Sequence, residues 1–414
     1  MVEKYTLNNG IRVICDDLNF FKTFSMGFWI KIGSLYETPS TNGYTHLLEH
    51  MLFKGTQKRS YSDISMEIDS VGGFLNAFTE RENTCFYVNV MTHHLDLGVD
   101  ILWDMITNST IDESELEKEK MVVIEEIKMT EDTPEELVHD LFFANLWKTN
   151  PLGFPILGNI KNIKNANRHS VMKFFKDYYS SHNLIISLAG NFDKKELLKQ
   201  IDKFTFIENG EMNHPTIPIP NANYEKMFKV KKLEQVYFIM AYNTFSRHDP
   251  RKYILYLLNN ILGGGSSSRL FLEIRERLGL CYSIFSFHNL YNDCGFLGIT
   301  SSTSLENYPF VIESILKEIE KLIHNGVLKD ELERSKEQMK GNITFQQENL
   351  ESRMNRNAKN ELNYHRHIPN EEVIAELEKV TINEINNLIN EIFKSKNISF
   401  CSIGPKKHAK ILTF

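Results

Sequence analysis

A chain of 414 residues is longer than one hydrophobic core usually serves, so two or more domains are expected. Its 42% hydrophobic and 24% charged residues are ordinary for a globular protein, and a net charge of −7 argues against a nucleic-acid binder. Five widely spaced cysteines without a C-x-x-C pair, no N-terminal signal or transit pattern, and no apolar run of membrane-spanning length predict reduced thiols and a cytoplasmic protein with no membrane partner.

Taken in order, Tyr5 to Leu7 and Ile11 to Cys15 flank Asn8-Asn9-Gly10, a hairpin signal. Residues Phe24 to Gly33, rich in aromatic and β-branched side chains, predict a buried strand. The stretch Gly43 to Gly55 then reads as about three turns of helix, with Thr41 or Asn42 available to cap its start and Gly55 to end it in a left-handed turn. On that helix His46 and His50 are four apart and Glu49 is three from His46, so all three side chains leave one face. Two imidazoles one turn apart can chelate a zinc ion, and Glu49 beside them can take a proton from a water that the metal activates. The pentapeptide alone is suggestive only; a third ligand is required.

A second helix is expected from Ser60 to Val71, followed by strands Phe74 to Thr79 and Thr84 to Met91 and a helix over about 93 to 108. The segment Asp112 to Thr130 reads as a strong helix with an acidic first turn and an apolar stripe of Leu116, Val123 and Ile127. Glu119, Val122 and Glu126 share an adjacent face. A carboxylate flanked by Val122, Val123, Ile124 and Ile127 is costly to bury unless paired or metal-bound, which makes Glu126 the best candidate for the third ligand, although acidic helices usually just face water. Thr133-Pro134 predicts the start of another helix.

HLLEHMLFKGT at 46–56, with Glu126 in VVIEEIKM 76 residues after His50, resembles the pitrilysin and insulysin class of zinc peptidases, closest to the branch of mitochondrial processing peptidase and its bacterial relatives. FLNAFTERENTCFYV at 74–88 and LGGGSSSRLFLEIRERLGLCYSIFSF at 262–287 extend the likeness through nearly the whole chain, with Thr45 before the first His as one departure. The resemblance implies zinc held by His46, His50 and Glu126, one ion per chain, with Glu49 as catalytic base and Glu119 as an accessory glutamate. It implies that Arg275 and Tyr282 bind the substrate backbone and stabilise the oxyanion, and that a peptide adds as a strand along Asn76 and Ala77. Longer relatives join two such units in one chain as a clamshell. A chain of this length is expected to form half of one, the other half being another copy or a distinct partner, with a homodimer whose sites are completed in trans as the simpler case.

Residues 207–224, IENGEMNHPTIPIPNANY, carry three prolines and little periodicity and read as a linker. Beyond it the chain repeats itself with an offset near 215: ILWDMITNSTIDESELEKEK parallels IEKLIHNGVLKDELERSK, and LIISLAGNFD parallels ISFCSIGPKK. The expected organisation is α+β, two homologous layered domains each with an antiparallel-rich sheet packed with helices: a zinc-binding domain at 1–208, a linker at 209–223, and a substrate-binding domain at 224–414. The second half lacks the ligands, since the offset sets Leu262 to Ser266 against His46 to His50 and places Glu126 near Gly341. Gly263 to Ser268 lacks the lysine of a phosphate loop, and His93-His94 and His365-Arg366-His367 read as surface residues. The sequence reading is a zinc endopeptidase acting on peptides or unfolded segments in an enclosed chamber. Its rivals are a non-catalytic assembly subunit, disfavoured by the intact His46, Glu49, His50 and Glu126 set, and a nucleic-acid or metal-carrier module.

Overall fold

The first strand pair forms where Asn8-Asn9-Gly10 allows it: β1 (Val2–Thr6) and β2 (Arg12–Asp17) are antiparallel, with Gly10 at φ +84° in the turn. The computed structural model describes residues 2–204, 206, 217–395 and 397–410. Every residue from Phe24 to Ile30 in β3 (Thr23–Ile30) is buried, because the strand lies inside a sheet completed by β4 (Phe74–Thr79), β5 (Thr84–Met91) and β6 (Leu184–Gly190). The order is β1-β2-β6-β3-β5-β4, with β2 and β6 parallel and the other pairs antiparallel. Between strands run α1 (Tyr44–Leu52), α2 (Tyr61–Ser70), α3 (Leu95–Asn108), α4 (Glu113–Asp132) and α5 (Pro134–Leu146). Ser60 and Asp63 close a capping box on α2, and Pro134 occupies the first turn of α5.

The second sheet is built from β7 (Lys226–Val230), β8 (Gln235–Thr244), β9 (Ser283–Leu290), β10 (Gly295–Ser304) and β11 (Ile398–Gly404), in the order β7-β11-β8-β10-β9. Only β7 and β11 are parallel. With β1 set aside, the two sheets match strand for strand in order, direction and chain sequence, so the repeat seen in the residues is a repeat of topology. β6 and β11, the strands from LIISLAG and ISFCSIG, are counterparts, each stopping at glycine.

The structure corrects the alignment of the metal helix. The counterpart of α1 is the helix Lys252–Gly263, which follows β8 as α1 follows β3, rather than Leu262 to Ser266. Its sequence, KYILYLLNNILG, has no His or Glu, and Leu255, Leu258 and Leu262 are wholly buried where α1 presents imidazoles to a site.

The packed units are not contiguous in sequence. One comprises residues 1–129, 154–217 and 345–367; the other comprises 130–153, 218–344 and 368–414. Helix α5 thus packs on β8 and β11, and the helix Leu350–Tyr364 packs on β2, β3 and β6. In the first unit this helix supplies Met354, Ala358 and Leu362 to a core with Trp29, Tyr87 and Ile185, and Met354 sits so near Gly27 that a Cβ there would meet its sulfur at 2.5 Å. Arg353 pairs with buried Asp16 at 2.7 Å, and buried Glu361 takes Arg12 at 2.9 Å and Lys4 at 2.7 Å. Of the expected linker 209–223, residues 209–216 lie outside the described residues, and 217–223 carry neither helix nor strand.

Candidate metal centre

Helix α1 is anchored by one apolar face, Leu47, Leu48, Met51 and Leu52, all without solvent exposure. Its start is not capped by Thr41 or Asn42. The cap residue is Gly43 at φ +101°, which has no side chain to offer and packs against Gly158, whose Cα would lie 2.9 Å from a Cβ. The open N–H groups are taken by a residue from outside the helix: the buried Glu37 carboxylate accepts from Gly43 N–H at 2.9 Å and Thr45 N–H at 2.7 Å, and from Asn42 Nδ2 at 2.9 Å. Burial pushes the Glu37 carboxyl above its usual range, against the hydrogen bonds from Thr45, Asn42 and Gly43. Removing it as Glu37→Ala strands several buried donors, and a loss of about 3 kcal/mol is expected, read as a lower urea midpoint at unchanged m-value. At the other end α1 stops at Leu52 with Phe53 as its C-cap, short of Gly55, whose φ is +125°.

From this helix His46 and His50 project together, ring centroids 4.7 Å apart and edge to face. Helix α4 brings Glu126 against both: its Oε2 lies 3.7 Å from His46 Nε2 and 3.5 Å from His50 Nε2. Among the described residues these three form a group able to hold a metal ion, one donor atom from each lying within 4.8 Å of the others. Donors at about 2.05 Å from a tetrahedral zinc are roughly 3.3 Å apart, so the Glu126 oxygen already lies within a few tenths of an ångström of that separation from each imidazole; the residues fit zinc in type.

α4 begins where Asp112 Oδ1 accepts from the N–H groups of Ser114 and Glu115, and it buries Leu116, Val123, Ile124 and Ile127. Val122 does not share the burial of Glu119; it is 48% exposed, because the helix turns it to solvent one step off the apolar stripe. Glu119, 5% exposed, accepts or shares a hydrogen bond with His50 Nδ1 at 3.1 Å and pairs through its other oxygen with Lys54 at 2.8 Å. His50 is therefore held at both ring nitrogens, the arrangement that orients a metal-binding imidazole.

Glu49 stands outside the ligand group. Burial raises its carboxyl above the ordinary range, opposed by a hydrogen bond donated by the Thr79 hydroxyl. The His46 imidazole is pushed down to about 4, by burial first and then by His50, a shift toward the neutral form that can bind a metal. Burial pulls His50 down as well, but its bonds to Glu126 and Glu119 outweigh that and raise it. The bond from His50 holds Glu126 low, against its partial burial.

Three residues of this centre escaped the sequence reading. Lys54, one turn after His50, had a legible signal in its i+4 spacing. Thr79 ends a strand and Glu37 lies in a loop before Thr38-Pro39; neither position carries a helical periodicity that would point at the site. Asn76 and Ala77 lie on β4, which is an edge of its sheet. Arg275 and Tyr282 belong to the second unit, on and just after the π-helix Phe271–Arg277. The Arg275 guanidinium lies 5.3 Å from the centroid of the Tyr282 ring, and Tyr282 is 83% exposed.

Two histidines one turn apart and a carboxylate from a second helix, with a further glutamate beside them, are a donor set that could hold a zinc ion and serve a hydrolase. Comparison with known proteins narrows this. Residues 12–160 match the insulinase (peptidase family M16) profile, and residues 165–339 match that of the peptidase M16 inactive domain. The chain is 38% identical to the uncharacterized zinc protease YmxG of Bacillus subtilis over 98% of both proteins. It is 34% identical to an uncharacterized zinc protease of Streptomyces coelicolor, over 98% of this chain and 90% of that one. The crystal structure of a protease from Helicobacter pylori shares the fold with a TM-score of 0.89 at 20% identity, covering 98% of this chain and 99% of that one. A peptidase M16 inactive domain structure from Pseudomonas fluorescens does so with a TM-score of 0.89 at 18% identity, covering 98% of each chain. The chain belongs to the insulinase family of peptidases, M16. Membership supports a peptidase activity with zinc as its metal, and no described helix is long and apolar enough to cross a membrane.

Proposed function

We propose that the protein is a zinc metalloendopeptidase that hydrolyses peptides or unfolded polypeptide segments inside an enclosed chamber. The observation that carries this reading is the meeting of His46, His50 and Glu126 at 3.5 to 3.7 Å with Glu49 left outside the set. Zinc, when bound by these three residues, supplies Lewis acidity to the scissile carbonyl and to the attacking water. Glu49 takes the proton of that water and returns it to the leaving amine, a task suited to a carboxyl whose affinity for protons is raised by burial. Glu119, steadied by Lys54, fixes the ring of His50. The peptide adds as a strand at Asn76 and Ala77 on β4, while Arg275 and Tyr282 bind its backbone and stabilise the oxyanion. In this reading 1–208 carries the metal, 224–414 carries substrate-binding groups, and two copies of the chain complete each other's sites. The five cysteines are free, as a reducing cytoplasm would leave them.

Purified protein should hold about one zinc per chain by metal analysis and should cleave an unfolded polypeptide. The single count follows from the counterpart of α1 having no His or Glu. Two ions per chain, or none after reconstitution, would overturn the metal assignment. A protein that holds its zinc but is inert on a broad peptide library would favour an assembly subunit instead.

A further inference from the structure

The edge strand and Glu49 are joined by one side chain. Strand β4 closes the first sheet on one side and, among the described residues, pairs there with β5 alone. The hairpin between them is closed by Glu80 N–H donating to Asn83 C=O at 2.8 Å. Antiparallel alternation then makes Phe78 and Asn76 the residues whose backbone bonds to β5, and turns the N–H and C=O of Leu75, Ala77 and Thr79 to the free edge. Ala77 agrees with this assignment, since its N–H is donated to Asn76 Oδ1 at 2.9 Å. An incoming strand would take that donor in place of the Asn76 side chain.

The same alternation puts the side chains of Leu75, Ala77 and Thr79 on one face of the sheet. That face is the one Glu49 occupies, because the Thr79 hydroxyl donates to Glu49 Oε2. A threonine hydroxyl has one proton to give, and here it goes to Glu49, which leaves Oε1 of that carboxylate for the proton of the attacking water. Threonine is also stiff at χ1, so the direction of its hydroxyl follows the strand backbone closely.

We infer that Thr79 is a positioning residue for peptide hydrolysis: its backbone receives the peptide added along β4 while its hydroxyl aims the carboxylate of Glu49. The seating of the substrate and the aim of the base are then set by one residue, so a peptide bond docked in register arrives with the base already directed at it. The inference rests on the reading of Glu49 as base and of β4 as the peptide-binding edge.

Thr79→Val keeps the shape and removes the donor, whereas Thr79→Ser keeps the donor. In full-length zinc-loaded protein assayed with a quenched fluorescent peptide, Thr79→Val should lower kcat about 10- to 100-fold with KM and zinc content unchanged. Thr79→Ser should recover most of that loss. A Thr79→Val enzyme as fast as wild type, or an equal loss in both variants, overturns the inference. The contact has its own test in urea unfolding: the midpoint shift caused by Thr79→Val should shrink when Glu49 is already alanine. Shifts that simply add overturn the pairing, even for a wild type that binds zinc and cleaves nothing. That last result would defeat the proposed function, and the unfolding cycle alone would then decide whether Thr79 holds Glu49.

Discussion

Glu49→Gln should lower the hydrolysis rate by about 10²- to 10⁴-fold or more while leaving the metal in place, because the glutamate is assigned the proton and not the ion. In the structure Glu49 turns to Thr79, and Glu126 turns to His46 and His50. Glu126→Gln should therefore weaken zinc binding directly, and Glu119→Gln should weaken it about 10- to 100-fold by freeing the His50 ring. Metal content after dialysis against a graded chelator, measured beside the rate, distinguishes these outcomes. If Glu49→Gln loses zinc as readily as Glu126→Gln, the roles are wrongly assigned.

The second large effect is expected from mixing two dead enzymes. Glu49→Gln and Tyr282→Phe proteins, each inactive alone, are dissociated, combined and re-associated. In a mixed dimer with sites completed in trans, one site has the intact glutamate of one chain and the intact tyrosine of the other, and its twin has neither. Random pairing makes about half of the dimers mixed, so activity should return to about a quarter of wild type. If both groups come from the same chain, every site lacks one of them and mixing restores nothing. The neighbouring Arg275, 5.3 Å from the centroid of the Tyr282 ring, gives the same test a second form with Arg275→Ala in place of Tyr282→Phe.

Much of this architecture was legible because local signals and tertiary structure agree. Asn8-Asn9-Gly10 needs a positive φ and obtains it at Gly10, Ser60 and Asp63 cap α2 as their spacing requires, and the alternating apolar segments became strands. The pairing of His46 with His50 was legible because helical spacing is rigid: four residues is one turn whatever surrounds it, whereas Glu126, 76 residues further on, was assigned as a ligand only through the family resemblance. Contacts that cross between elements were not. The cap on α1 comes from Glu37 in a preceding loop, and the orientation of Glu49 comes from the end of β4, neither of which has a periodic signature. The repeat offset failed locally for a related reason. Loops between matched strands differ in length, so a register read from β6 and β11 does not carry unchanged to α1 and its counterpart Lys252–Gly263.

The helix Leu350–Tyr364 has a consequence for how such a chain is built and divided. It is encoded in the second half of the sequence yet completes the first sheet, filling the face lined by Trp29 and Ile185, while α5, encoded in the first half, packs on the second sheet. Each repeat lends its twin one helix. A gene cut at residue 208 would yield a fragment that keeps the candidate ligands His46, His50 and Glu126 but loses Met354, Ala358 and Leu362 from the core around Trp29, so a piece of this protein expected to fold alone is longer than the stretch that carries those ligands.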